Sequence, residues 1–241
     1  MAEFRAVAEA LPAGPSWTAA LAGSDVAVIA EVKRRSPSVG SIASDLDPRE
    51  HARAYELGGA SAISVLTDAR YFGGCLGDLS RVSETVTVPV LRKDFILDPI
   101  QVYESRATGA AAILLIVRAL DPVTLHDLST LAGELGLGAL LEVHDLKELD
   151  IALQVSANCV GVNSRDLATF QVDLTTLAGV LDQVPSHVVA VAESGLKNRA
   201  DVEKVASWGA DAVLVGTVLA GASDPCNAVR DLTGVARRGR S

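Results

Sequence analysis

Residues 107–117 read ATGAAAILLIV, and two other stretches repeat that pattern: LGGASAISVLT at 57–67 and SWGADAVLVGT at 207–217. In each, a glycine (Gly59, Gly109, Gly209) stands where a helix would stop, because glycine enters the left-handed cap conformation without steric cost. Small residues, mostly alanine, then lead into an apolar run of strand composition. The unit is helix, glycine, buried strand, and its recurrence marks a repeated architecture.

Eight such runs are readable, at 26–32, 60–66, 89–92, 110–117, 138–143, 159–162, 188–192 and 212–215. Most lack polar–apolar alternation, as strands covered on both faces do, and their spacing of roughly 20 to 35 residues is that of βα units in a parallel sheet. The intervening helices carry start signals: Asp47-Pro48, Asp98-Pro99 and Asp121-Pro122 each set a capping carboxylate before a proline that presets the first helical φ. Two architectures satisfy this order, a closed (β/α)8 barrel and a doubly wound open sheet. The 241-residue length suits the ~250 of a barrel, and no glycine-rich dinucleotide loop follows the first run. The expectation is a single-domain α/β protein, a (β/α)8 TIM barrel over 26–236. A short N-terminal extension over 1–25, with a helix near 16–22, precedes it, and a tail over 237–241 follows.

Thirty acidic against 21 basic residues leave a net charge of −9, which argues against nucleic acid or an anionic membrane as a partner. The longest strongly apolar run, 109–117, is about half of the ~20 residues a spanning helix needs. No basic segment followed by an apolar core opens the chain, so a cytoplasmic location is expected. Cys75, Cys159 and Cys226 are odd in number and far apart, which argues against both a disulfide framework and a zinc site. Aromatic residues make up 4%, so the core must be built of small and branched aliphatic side chains, with Cys159 reading as one of them. No apolar stripe is evident for a surface, and a monomer is expected.

Active sites of barrels lie at the carboxyl ends of the strands, so ionisable residues should collect there. They do: Glu31 and Lys33 close the first run, Lys93 the third, Glu142 the fifth, Asn163 the sixth, and Glu193-Ser194 the seventh. Taken singly, each could be a solvated loop charge. The apolar residues before them (VIA, VL, ALL, VGV, AVA) instead carry the charge into a half-buried place, where an unpaired charge costs several kcal/mol, so pairing or function is required. Gly195 and Gly216-Thr217 follow the last two runs, the usual place for a phosphate against backbone N–H groups. Taken singly these could be turn glycines; together they point to a phosphorylated small molecule. No HExxH, GxSxG, GxxxxGK[ST] or GxGxxG occurs, and His51, His126, His144 and His187 are scattered, His144 reading as a loop or cap residue.

The motifs VIAEVKRRSPSVG (28–40), SAISVLTDARYFGG (61–74), LRKDFILDPIQVYESRATGAAAILLI (91–116), LLEVHDLKEL (140–149), VGVNSRDL (160–167), AESGL (192–196) and DAVLVGTVL (211–219) together resemble the indole-3-glycerol phosphate synthases. The resemblance implies a carboxy-lyase of tryptophan biosynthesis acting on 1-(2-carboxyphenylamino)-1-deoxyribulose 5-phosphate, without cofactor or metal. It places the general acid on Lys93 and a catalytic glutamate on Glu142. Glu31, Lys33, Asn163, Glu193 and Ser194 complete the catalytic set; Lys33, Ser36, Gly195, Gly216 and Thr217 take the phosphate; Phe95 and Leu114 line the pocket. Acid and base stay unassigned among Glu31, Lys33 and Glu142. The family usually has a longer covering segment before the first strand; here Trp17 is expected to pack on the barrel bottom rather than over substrate. Rival readings are another phosphate-binding barrel, such as phosphoribosylanthranilate isomerase, and a catalytically silent paralogue.

Overall fold

Gly59, Gly109 and Gly209 sit at φ of +96°, +92° and +93° in the computed structural model, which describes residues 2–165 and 174–240. Met1, Ser241 and, from the VGVNSRDL motif, Asp166 and Leu167 lie outside the described residues. After each of these glycines the next amide returns to a carbonyl five residues back: Ala60 to Tyr55 at 3.0 Å, Ala110 to Ser105 at 2.9 Å, Ala210 to Val205 at 3.1 Å. These bonds satisfy carbonyls at the helix end and aim the chain into the following strand. The same closure follows Gly136 and Ser156, so two more helices end this way without the alanine-rich signature. At the helix starts, Asp47, Asp98 and Asp121 accept first-turn amides, as their sequence pattern requires.

The strands are β1 (Ala27–Val32), β2 (Arg35–Ser36), β3 (Gly40–Ser41), β4 (Ala62–Leu66), β5 (Val90–Lys93), β6 (Ala112–Ile116), β7 (Gly138–Val143), β8 (Cys159–Asn163), β9 (Val189–Glu193) and β10 (Ala212–Val215). Eight of them pair in parallel as a closed barrel, β1-β10-β9-β8-β7-β6-β5-β4, with β4 returning to β1. The chain is a (β/α)8 TIM barrel. Lys93, Asn163 and Glu193 belong to their strands, one residue beyond the runs read from sequence, because ladder pairing continues one step past the last apolar residue. Two features had no forecast. A short antiparallel hairpin, β2 against β3, folds over Arg35–Ser41. A helix, Ala2–Ala10, opens the chain, while the anticipated helix near 16–22 covers only Trp17–Ala20.

Period-two geometry sorts each strand's side chains between two cores. The outward set, such as Val28, Ile63, Leu115 and Val213, packs under the helices. The inward set, such as Ile29, Leu91, Leu140 and Val191, fills the barrel together with Trp17 and Leu21. Trp17 closes the amino-terminal end: its ring lies over Gly138 at the start of β7, where a Cβ would fall 2.6 Å from its own Cβ, and its Nε1 donates to Cys159 Sγ at 3.4 Å. Cys159 is thereby the buried core residue its context suggested. The same end is tied down by the C-terminal tail. Asp211, buried before β10, accepts from Ala190 N at 2.8 Å and pairs with Arg237 and, at 2.7 Å, with Arg240.

Candidate active site

The inward phase that puts Ile29, Leu91, Leu140 and Val191 in the barrel puts Glu31, Lys93, Glu142 and Glu193, two residues further on, in the next layer up. Apolar side chains fill the bottom of the barrel and ionisable ones its mouth. The neighbouring Arg92 shows the phase at work. It points the other way, beneath the helix Pro99–Ala107, and is held by Asp94 at 3.0 Å, Gln101 O at 3.0 Å and Ser105 Oγ at 3.1 Å. Arg92 therefore anchors the fold while Lys93 faces the cavity.

Two lysine–carboxylate groups occupy the mouth. Lys33 Nζ lies 2.6 Å from Glu31 Oε1, and Lys93 Nζ lies 3.4 Å from Glu142 Oε2 and 3.5 Å from Glu193 Oε2. Close packing makes room for them. A Cβ on Gly161 would stand 2.0 Å from Glu193 Oε1, and one on Gly216 would stand 2.2 Å from Glu31 Oε1 and 2.7 Å from Lys33 Nζ. Gly216 thus has a second duty beside the turn read from sequence, and Gly161, which the sequence reading passed over, is required for Glu193 to fit.

Burial and charge oppose one another here. Burial pushes the Glu31 carboxyl up, but Lys33 and Lys93 outweigh it and hold the group below its ordinary value. Burial pushes the Lys93 ammonium down, but Glu142, Glu193 and Glu31 outweigh it, so Lys93 is held strongly cationic. For Glu193 burial prevails over Lys93 and is reinforced by Glu142 and Glu31, raising it to about 8. Its Oε1 is buried without a hydrogen-bond partner.

Between the ordinary carboxyl value of 4.5 and about 8, the folded chain holds a proton on Glu193 that the unfolded chain has released. The stability tied to that proton is complete below the lower value and declines as pH rises through the window, by at most about 1.4 kcal/mol per pH unit. Glu193→Gln is neutral throughout, so denaturation measured at pH 5 and pH 8.5 should show the decline in the natural protein and a flatter profile in the variant. An equal decline in both would place the titrating group elsewhere.

Above these groups opens a cavity of about 650 Å³. It is lined by Glu31, Lys33, Ser36, Lys93, Phe95, Leu114, Glu142, Asn163, Glu193, Ser194, Gly195, Gly216 and Thr217, so the structure brings all the anticipated site residues to one place. Ser194 and Gly195 both turn through positive φ, at +68° and +78°, which bends the chain after β9 over the cavity. The wall also includes residues the sequence reading did not single out, among them Pro37–Val39 of the hairpin, Phe72, Arg165 and Lys197. Arg165 was open to detection, since it lies two residues after Asn163, whose Oδ1 accepts its amide at 3.0 Å. Trp17 is absent from the wall, as expected for a residue at the opposite end. Among the described residues no cluster of His, Cys, Asp and Glu is arranged to hold a metal, and no helix is long and apolar enough to cross a membrane.

A (β/α)8 barrel with paired acids and bases at its carboxyl mouth defines a class of small-molecule enzymes. Comparison with known proteins narrows it. The profile of the indole-3-glycerol phosphate synthase family matches residues 1–232. The chain is 51% identical over 232 residues to the indole-3-glycerol phosphate synthase of Mycolicibacterium vanbaalenii, covering 96% of this chain and 85% of the relative. It is 51% identical over 217 residues to that of Chlorobium phaeovibrioides, covering 89% and 84%. Among solved structures, 3-hexulose-6-phosphate synthase from Salmonella typhimurium superposes with a TM-score of 0.68 at 16% identity, over 86% of this chain and 96% of that one. Thiamine phosphate pyrophosphorylase from Pyrococcus furiosus does so with 0.64 at 19% identity, over 86% and 93%; both show the shared fold. The chain belongs to the indole-3-glycerol phosphate synthase family and is a carboxy-lyase of tryptophan biosynthesis.

Proposed function

We propose that the cavity performs the family's reaction, converting 1-(2-carboxyphenylamino)-1-deoxyribulose 5-phosphate to indole-3-glycerol phosphate, carbon dioxide and water, with the residues above in distinct roles. The observation that carries the reading is the pair of lysines, each against its own carboxylate partner, in the top inward layer of the barrel. In ring closure the aromatic carbon bearing the carboxylate bonds to the ketone carbon while the ketone oxygen takes a proton. Lys93, held cationic in a buried place, supplies that proton and stabilises the developing charge. The bond to the carboxylate then breaks, carbon dioxide leaves, and its electron pair restores the aromatic ring. In dehydration the new hydroxyl takes a proton from Lys33 and departs as water, and a carboxylate, Glu31 or Glu142, removes the proton from the adjacent ring carbon.

Glu193, Asn163 and Ser194 form the part of the wall that faces the substrate's polar groups. The phosphate lies against Gly195, Gly216 and Thr217, with Lys33 and Ser36 beside it, while Phe95 and Leu114 flank the carboxyphenyl ring. The same reading takes 26–236 as the catalytic unit between an extension and a tail, acting as a cytoplasmic monomer without nucleic-acid partners. Neither the isomerase nor the silent-paralogue alternative gains a supporting observation. Incubating the purified protein with the carboxyphenylamino substrate and following the indole chromophore tests the proposal, which fails if the substrate is left intact. Prior treatment with a chelator and desalting should leave the rate unchanged; a loss restored by one divalent ion would reveal a requirement the reading lacks.

A further inference from the structure

His144 lies, as expected, in the loop just before the helix cap Asp145; it is buried (7% exposed) and does not line the cavity. Its two ring nitrogens face carboxylates on opposite sides. Nδ1 lies 3.0 Å from Glu148 Oε2, which also accepts the His144 backbone N–H at 2.8 Å. Nε2 lies 3.5 Å from Glu142 Oε1, the oxygen of Glu142 that does not face Lys93, and is buried without a formed hydrogen bond. Glu148 is fixed in turn by Arg118 Nε at 2.7 Å, and burial, which would raise its carboxyl, is outweighed by the bonds from His144 and Arg118. The order Lys93, Glu142, His144, Glu148, Arg118 therefore alternates donors with acceptors from the cavity to the helix Leu146–Gln154 and the turn that follows β6. A bare Nε2 would set its lone pair against Glu142 Oε1, whereas a hydrogen there can be donated to that oxygen.

We propose that His144, anchored by Glu148 and Arg118, is a positioning residue that holds the outer oxygen of Glu142 and so keeps the inner one against Lys93. The Glu148 and Arg118 bonds orient the ring so that its Nε2 stands 3.5 Å from Glu142 Oε1. This rests on the reaction proposed above, because Glu142 matters to turnover only if that reading holds.

Two substitutions separate the sides of the ring. His144→Asn keeps an amide near Nδ1 for Glu148 and loses reach to Glu142, while His144→Gln keeps an amide near Nε2. The Asn variant should lose at least ~10-fold in kcat with KM within about 2-fold, the mark of a misplaced catalytic group, and the Gln variant should recover most of that loss. Natural kcat in the Asn variant, or equal losses in both with matching drops in melting temperature, would overturn the proposal. Independent of turnover, nitrogen-15 spectra of histidine-labelled natural protein should show a hydrogen on Nε2 of His144, and a bare Nε2 would overturn it. A natural protein inactive on the carboxyphenylamino substrate would refute the proposed reaction, and the nitrogen spectrum would still decide the placement of His144 against Glu142.

Discussion

Lys93→Ala is expected to lower turnover by at least ~10²-fold, the loss typical of a removed general acid, while the chain still folds. The ammonium stands against Glu142 and Glu193 at 3.4 and 3.5 Å, and Glu31 adds to the field that keeps it cationic. In its absence the ketone loses the donor proposed for ring closure, Lys33 being placed beside Glu31 for the dehydration step. The same loss leaves buried carboxylates without their shared cation, a state that costs roughly 3–5 kcal/mol if they stay charged. They can instead take up protons, so the variant should melt close to the natural protein near pH 6 and fall behind it near pH 8.5. Steady-state kinetics with circular dichroism at both pH values measure the two effects together. Near-normal turnover with an unchanged spectrum would remove Lys93 from the acid role.

Trp17→Ala is expected to cost roughly 3–5 kcal/mol of stability, the usual range for deleting a buried aromatic side chain, and to leave KM unchanged. The indole fills the bottom of the barrel against Gly138 and Cys159 and is 2% exposed, so its removal opens a cavity in a rigid closed sheet that cannot collapse around it. At about 2–4 °C per kcal/mol for a domain of this size, the melting temperature should drop by roughly 6–20 °C. The substrate cavity lies at the other end of the strands and does not include Trp17. A raised KM at natural stability would mean that the ring reaches the substrate after all.

The layer of ionisable residues at the barrel mouth was readable because strand geometry is a local rule. Once Ile29, Leu91, Leu140 and Val191 are taken as interior, residues two further along must face the same way, and those are Glu31, Lys93, Glu142 and Glu193. His144 escaped because its surroundings depend on neighbours far away in the chain. His144 looks like one scattered histidine until β7 and the turn after β6 bring Glu142, Glu148 and Arg118 around it. The hairpin over Arg35–Ser41 was likewise hidden. Arg34 and Arg35 hold that segment by reaching across to the loop and helix after β4, Arg34 to Asp78 in the helix Leu76–Ser83 at 2.5 Å and Arg35 to Ala69 O in the loop at 2.7 Å.

By itself the sequence determined what depends on short range: glycine stops at 59, 109 and 209, Asp-Pro helix starts, eight apolar runs, and the order in which charged residues end them. These follow from backbone sterics and from periodicities of a few residues, which a linear string displays in full. Closure of β4 onto β1, the space that Gly161 and Gly216 leave for Glu193 and Glu31, and the burial that raises Glu193 were decided only in three dimensions. Each depends on distances between segments that the chain separates by tens of residues, and on the loss of water around charges. Both arise only when the barrel closes and its inward side chains are packed together.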